Sequence, residues 1–279
     1  MNGKHGRGPD ALARRLLALL NPGPAGWQAT AATVLGVAVA LALSALLVAV
    51  TGGSPTASVQ ALFQGSMADS TAWTSTLLYA APLLLVAIGA CVSARSGVFN
   101  IGQEGQVLIG ALFGAWVGLR LAAPGPLLAV CVLVAAAVGG GVWAGLSALM
   151  YQLRGVNVVV STLLMIFLAQ QLVAFTVNTP WLLQETRMGT GGTLSPQSNP
   201  LPEHALLGSF GEYPNLQINA GLLLALAVTA VVAVALARTP WGFRLTMLGL
   251  NPQAAKHAGV RVNALGGMAL VISGALAGL

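Results

Sequence analysis

Residues able to do chemistry are scarce in this chain, and none of them cluster. His5, His204 and His257 stand far apart, and Cys91 and Cys131 each lie in an apolar stretch without CxxC spacing. A metal centre needs several converging ligands, so neither a metal nor a disulfide framework is expected, and the thiols read as small hydrophobes. The sequence has no GxxxxGK[ST] loop, no HExxH and no GxSxG. It therefore lacks a phosphate-cradling loop for ATP and the two commonest hydrolase signatures. An intramembrane enzyme would need nucleophile, base or metal ligands brought together, and none are in prospect. No cofactor is expected. Glu104 is the only acid near an apolar run, so no series of buried carboxylates suggests a proton relay.

The elements that carry these few groups are apolar. Twelve basic and six acidic residues make up 6% of 279, while 56% are hydrophobic. Soluble domains carry about a quarter charged residues, so this chain cannot cover a water-facing surface. A cytoplasmic globular protein, a disordered chain and a nucleic-acid binder are excluded. The net charge of +6 reports orientation instead.

A bilayer core of about 30 Å takes roughly 20 apolar residues as helix. Such runs occur at Trp27–Val50, Trp73–Ala94, Gln106–Leu121, Leu127–Met150, Val156–Val177 and Ile218–Ala237, with a last run at Ala264–Leu279. They are continuous and rich in Ala and Leu, unlike the alternating strands of a barrel. The expected fold is all-α, a polytopic transmembrane bundle of about seven spans. The last run is still apolar where the sequence stops, which would leave end carbonyls in hydrocarbon. The expectation is that the natural protein continues, so that this is a C-terminally truncated product. The first run, at about 24 residues, exceeds a signal-peptide core and reads as an uncleaved anchor.

With the N-terminus in the cytoplasm, Lys4, Arg7, Arg14, Arg15, Arg95, Arg154, Arg238, Arg244, Lys256 and Arg261 fall inside, leaving Arg120 and Arg187 outside. Asp69, Glu185, Glu203 and Glu212 share the outer side. The positive-inside rule disfavours the inverse. The organisation is then a basic cytoplasmic N-terminus (1–26) and a transmembrane region (27–279), with a cytoplasmic loop at 238–263 and an outer loop at 178–217.

Three segments depart from ordinary loops and spans. Ser93–Gln106 mixes three glycines, Asn100, Gln103, Gln106 and the pair Arg95/Glu104 with apolar Val98, Phe99 and Ile101. Two readings stay open: a broken helix lining a translocation path with Glu104 or Asn100 facing a polar cavity, or a tight loop with solvated charges. In Trp241–Val260, Asn251 suits an N-cap, Pro252 the first helical position and Gly259 the residue past the end, marking a helix over Pro252–Ala258. So short a helix needs packing to persist. Ala254, Ala255 and Ala258 give it a small-residue face for a cytoplasmic partner, whereas a lipid-lying helix would carry bulky anchors. Asn178–Gln217, with five prolines and a Thr190–Thr193 glycine cluster, shapes the outer mouth, receives a partner or is a linker. Gly110, Gly114 and Gly118, with Gly141 and Gly145, form small-residue faces read as core packing. Of Gln170 and Gln171, at least one is expected to face the bundle interior.

Together, Ala81–Leu85, Arg95–Gln106, Gly155–Asn157, Thr239–Arg244 and Gly249–Ala255 resemble the permease subunits of bacterial ATP-binding-cassette importers. The resemblance is to the nucleoside and simple-sugar branch, related to ribose and branched-chain amino-acid permeases. It runs from about Thr71 onward, and its specific parts are FNIGxEGQ and GxNPxAA. It implies an importer in the plasma membrane that works by alternating access. A separate ATPase subunit, a second permease chain and an extracytoplasmic substrate-binding lipoprotein would be its partners. Gly249, Asn251, Pro252, Ala254, Ala255 and Gly259 would form the ATPase-coupling element. Asn100, Gly102, Gln103, Glu104 and Gly105 would sit on the translocation path. The alternative is a stand-alone ion- or proton-coupled secondary transporter relying on Glu104.

Overall fold

Continuous apolar runs leave the backbone one way to satisfy its N–H and C=O groups in hydrocarbon, and the computed structural model is accordingly nearly all helix. It describes residues 24–185, 196–211 and 216–279. The basic N-terminus, Arg187, the Thr190–Thr193 cluster, Glu212 and Pro214 lie outside them. The chain divides into two units at Ala68/Asp69.

The first unit holds α1 (Pro24–Val50) and α2 (Pro55–Met67). Helix α1 exposes Val34, Leu35, Leu41, Leu46 and Leu47 around its circumference, as a lipid-embedded helix does. Ser54 caps α2, with Pro55 at its first position. Apolar periodicity alone gave no sign of α2.

The second unit carries α3 (Ser70–Arg95), α4 (Gln103–Arg120), α5 (Gly125–Arg154) and α6 (Val158–Val177). After a 3-10 turn at Glu203–Ala205, strands β1 (Ser209–Phe210) and β2 (Ile218–Asn219) pair antiparallel, Ser209 facing Asn219. Then come α7 (Ala220–Arg238), α8 (Pro240–Leu250), α9 (Pro252–His257) and α10 (Val262–Gly278). Helix starts follow their caps: the Asp69 carboxylate accepts from the Ala72 N–H at 2.7 Å, and Asn157 caps α6 as its type suggests.

Helix α10 is the axis of this unit, packed by α3, α4, α5 and α8. Small residues make that possible. A Cβ at Gly110 on α4 would lie 2.5 Å from the Gly278 Cα and 2.9 Å from the Ala136 carbonyl of α5. Three helices therefore meet backbone to backbone, and Gly114 and Gly118 continue the α4–α5 seam as core packing. Helix α7 rests on α3 and α8, and α6 on α4 and α5.

Of the seven expected spans, five are found among the described residues as helices long and apolar enough to cross a membrane: Thr30–Val50, Ser70–Arg95, Gly125–Arg154, Val158–Val177 and Ala220–Arg238. Helix α4 falls short because its first turn is Gln103-Glu104-Gly105-Gln106 and its last residue is Arg120. Helix α10 has 17 residues, about 25 Å of rise. Both are nevertheless the inner helices of the bundle.

Candidate functional site

Helix α3 stops in a full Schellman motif. Val98 N–H donates to the Ser93 carbonyl and Gly97 N–H to Ala94, with Gly97 at φ +76°. Glycine is the residue that takes this conformation without strain. The chain then runs without helix to Gly102, and α4 begins at Gln103.

Inside this interruption the Asn100 amide, only 8% exposed, is fully bonded. Its Nδ2 donates to Gln106 Oε1 at 2.8 Å and Ser273 Oγ at 2.9 Å. Its Oδ1 accepts from Gln106 Nε2 at 3.0 Å and the Gly102 N–H at 3.1 Å. Two donors and two acceptor sites are all the amide has, so none is left for a solute. Gln103 Nε2 donates to the Val86 carbonyl of α3 at 2.9 Å and approaches Ser273 Oγ at 3.5 Å. One hub thus ties α3, the interruption, α4 and α10.

On the other side, a Cβ at Gly102 would sit 2.6 Å from the Thr162 carbonyl, and one at Gly105 3.1 Å from the Ile166 Cα, so α4 starts in backbone contact with α6. Glu104 points away from the hub and is exposed, its Oε1 accepting from Gln170 Nε2 at 3.2 Å. Gln170 and Gln171 are both exposed, which corrects the expectation that one of them faces the interior. Their helix buries instead the face of Ser161, Thr162, Met165, Ile166 and Ala169. Depth follows from helix rise. Gln170 lies roughly 18 Å along α6 from Val158 and about 10 Å short of Val177, and Val86 lies about 13 Å from the end of α3. The Glu104–Gln170 contact is therefore at mid-span depth.

The second site is the far end of the unit. Thr239 closes α7 and opens α8, its Oγ1 bonding the Ala235 carbonyl and accepting from the Gly242 N–H. Helix α8 buries Leu245 and Leu248 on a core with Val92, Leu236 and Leu265. Asn251 Oδ1 accepts from the Ala254 N–H at 3.0 Å and starts α9. At its end Val260 N–H donates to the Ala255 carbonyl and Gly259 N–H to Lys256, a second Schellman motif with Gly259 at φ +81°. The helix ends at His257 with Ala258 as C-cap, close to the expected bounds.

Ala255 is 0% exposed, so it anchors α9 to its own chain. Pro252, Gln253, Ala254, Lys256, His257 and Ala258 are the exposed surface of α9 and its C-cap. Gly249 packs against the Arg95 carbonyl. Two clefts flank the turn after α9. One, of about 570 Å³, is lined by Gln152, Pro252, Gln253, Lys256 and Arg261 among others, and the other, of about 410 Å³, by Arg244, Gly259 and Arg261. Neither has an acidic lining residue. The ends of α3 and α5 come here too, through the Gly249–Arg95 and Gly267–Gln152 contacts.

At the opposite end Arg120 lies 4.0 Å over the Trp116 ring and donates to the Trp181 and Leu182 carbonyls. The described parts of the 178–217 loop are thereby fastened to α4, and Leu201 packs at Gly118.

The geometry is that of an apolar multi-pass bundle with a bonded polar hub and a capped knob at one end, and among the described residues no group of His, Cys, Asp and Glu could hold a metal. Residues 72–279 match the family described as branched-chain amino acid transport system / permease component, and the chain belongs to that family. It is 30% identical over 259 residues to the glucose ABC transporter permease protein TsgB13 of Haloferax volcanii, covering 91% of this chain and 67% of that one. It is 27% identical to the guanosine permease NupP of Bacillus subtilis, covering 88% and 69%, and 26% identical to the nucleoside permease NupB of Lactococcus lactis, covering 85% and 65%. The chain thus spans about two thirds of the length of these relatives. No solved structure matches. It is a permease subunit of an ATP-binding-cassette transporter rather than an enzyme, and its class works with an ATP-binding subunit.

Proposed function

We propose that this chain is one permease half of an importer that moves a nucleoside or simple sugar across the plasma membrane by alternating access. A separate ATP-hydrolysing subunit binds at α9, a second permease chain completes the path, and an extracytoplasmic lipoprotein delivers the solute. The N-terminus lies in the cytoplasm, as does the α9 end with its surplus of basic residues. Of the path residues expected from sequence, Glu104 is the one with both exposure and mid-span depth. Asn100, Gly102, Gln103 and Gly105 hold it in place.

The observation that carries the docking reading is a knob capped at both ends, anchored by Ala255 and presenting Pro252, Gln253 and Lys256 outward between two cation-lined clefts. A six-residue helix does not persist unaided, and this one is built to offer a surface. The test is co-purification of the full-length chain with its ATPase. Lys256→Glu with Ala258→Glu should abolish association while the permease still accumulates in membranes. Undiminished association would sink the reading.

A further inference from the structure

An exposed carboxylate at mid-span depth has no place against hydrocarbon. Glu104 and Gln170 project from α4 and α6 on the side away from the hub, and no cation pairs with Glu104 among the described residues. Charged groups at this depth face water-filled cavities or partners. The Gln170 amide occupies one acceptor position on Oε1. A carboxylate offers about four, so both oxygens can still accept. Both groups are set by rigid elements: Gly102 and Gly105 hold the start of α4 against α6, and the hub holds it from behind.

We infer that Glu104, oriented by Gln170, contacts the transported solute and accepts the two hydroxyl hydrogens of a vicinal diol. A neutral solute rich in hydroxyl donors gains charge-assisted bonds there without needing a counter-ion. A ribose and a hexose share this chemistry, which is what a nucleoside and a simple sugar have in common. The inference rests on the permease reading above and adds the group on the solute that the path recognises.

The test uses the complete transporter in proteoliposomes, with the same substrate-binding subunit throughout and solutes at saturation. One arm compares guanosine with 2′-deoxyguanosine, the other glucose with 2-deoxyglucose. The arm in which the wild type transports identifies the source of the diol. A site built to bond a hydroxyl rejects the analogue lacking it. The wild type should favour the intact diol at least tenfold, Glu104→Gln should erase that preference, and Gln170→Leu should reduce it several-fold. In a Cys91→Ser, Cys131→Ser background, Gln170→Cys should react with a water-soluble thiol reagent and be protected by the transported solute. An unchanged diol preference in both variants, or a Cys at 170 that is unreactive or unprotected, overturns the inference while leaving the permease reading intact. A wild type that moves neither solute overturns the nucleoside and sugar reading, and this inference with it.

Discussion

Residues 96–102 are a helix-free break between α3 and α4, and residues 251–260 are a break between α8 and α10 that holds only the short α9, yet they meet their polar groups in opposite ways. At the first, Asn100 is buried and bonds side chains from α4 and α10. At the second, Asn251 is exposed and its side chain bonds only the next turn of backbone, at the Ala254 N–H. Each interruption has a Schellman stop with a positive-φ glycine, so the local code is shared. The difference is the surroundings. Irregular backbone at membrane depth must be satisfied by protein, whereas a cap suffices where the helix end is exposed.

Substitutions at the two breaks and at the helix seam should differ widely in cost. The largest effect is expected from Gly110→Val, which drives a branched side chain into the Gly278 and Ala136 backbones. Membrane accumulation of folded protein, read by fluorescence-detection chromatography, should be lost. Next is Asn100→Leu, which strands buried groups on Gln106, Ser273 and the Gly102 N–H. A loss of about 3 kcal/mol or more is expected by thermal unfolding in detergent, since each unmet buried group costs about 1–3 kcal/mol. Ser273→Ala removes one acceptor of the same hub and should cost about 1–2 kcal/mol. Smallest is Asn251→Ala, about 1 kcal/mol for a lost cap. It should weaken ATPase binding with little change in bundle stability. Equal costs at Asn100 and Asn251 would remove the distinction between a sealed and an open interruption.

Much of the second interruption is legible in its sequence, because capping is local. Asn251, Pro252 and Gly259 lie at fixed offsets and their roles follow from residue type. The orientation of the face is not local. Ala255 is buried where α9 folds back on α8 and α10, and no spacing among alanines reveals that. The first interruption is legible as unusual but not as a hub. Its essential partner, Ser273, lies more than 170 residues away in sequence, in an apolar run where nothing marks it. Gln106 reads as the first residue of a span, and only its pairing with Asn100 shows what it does. Of the seven expected spans, five meet the length and apolarity of a crossing among the described residues, and α4 misses that measure through its polar first turn and Arg120, which apolar run length alone does not weigh.

The most direct measurement is hydrogen–deuterium exchange of the complete permease in nanodiscs, with and without its ATP-hydrolysing subunit. The amides of Ala254–Val260 should exchange readily alone and become protected on binding, while those of 97–106 should exchange slowly in both states. Rapid exchange across 97–106, or an α9 indifferent to the ATPase, would contradict it.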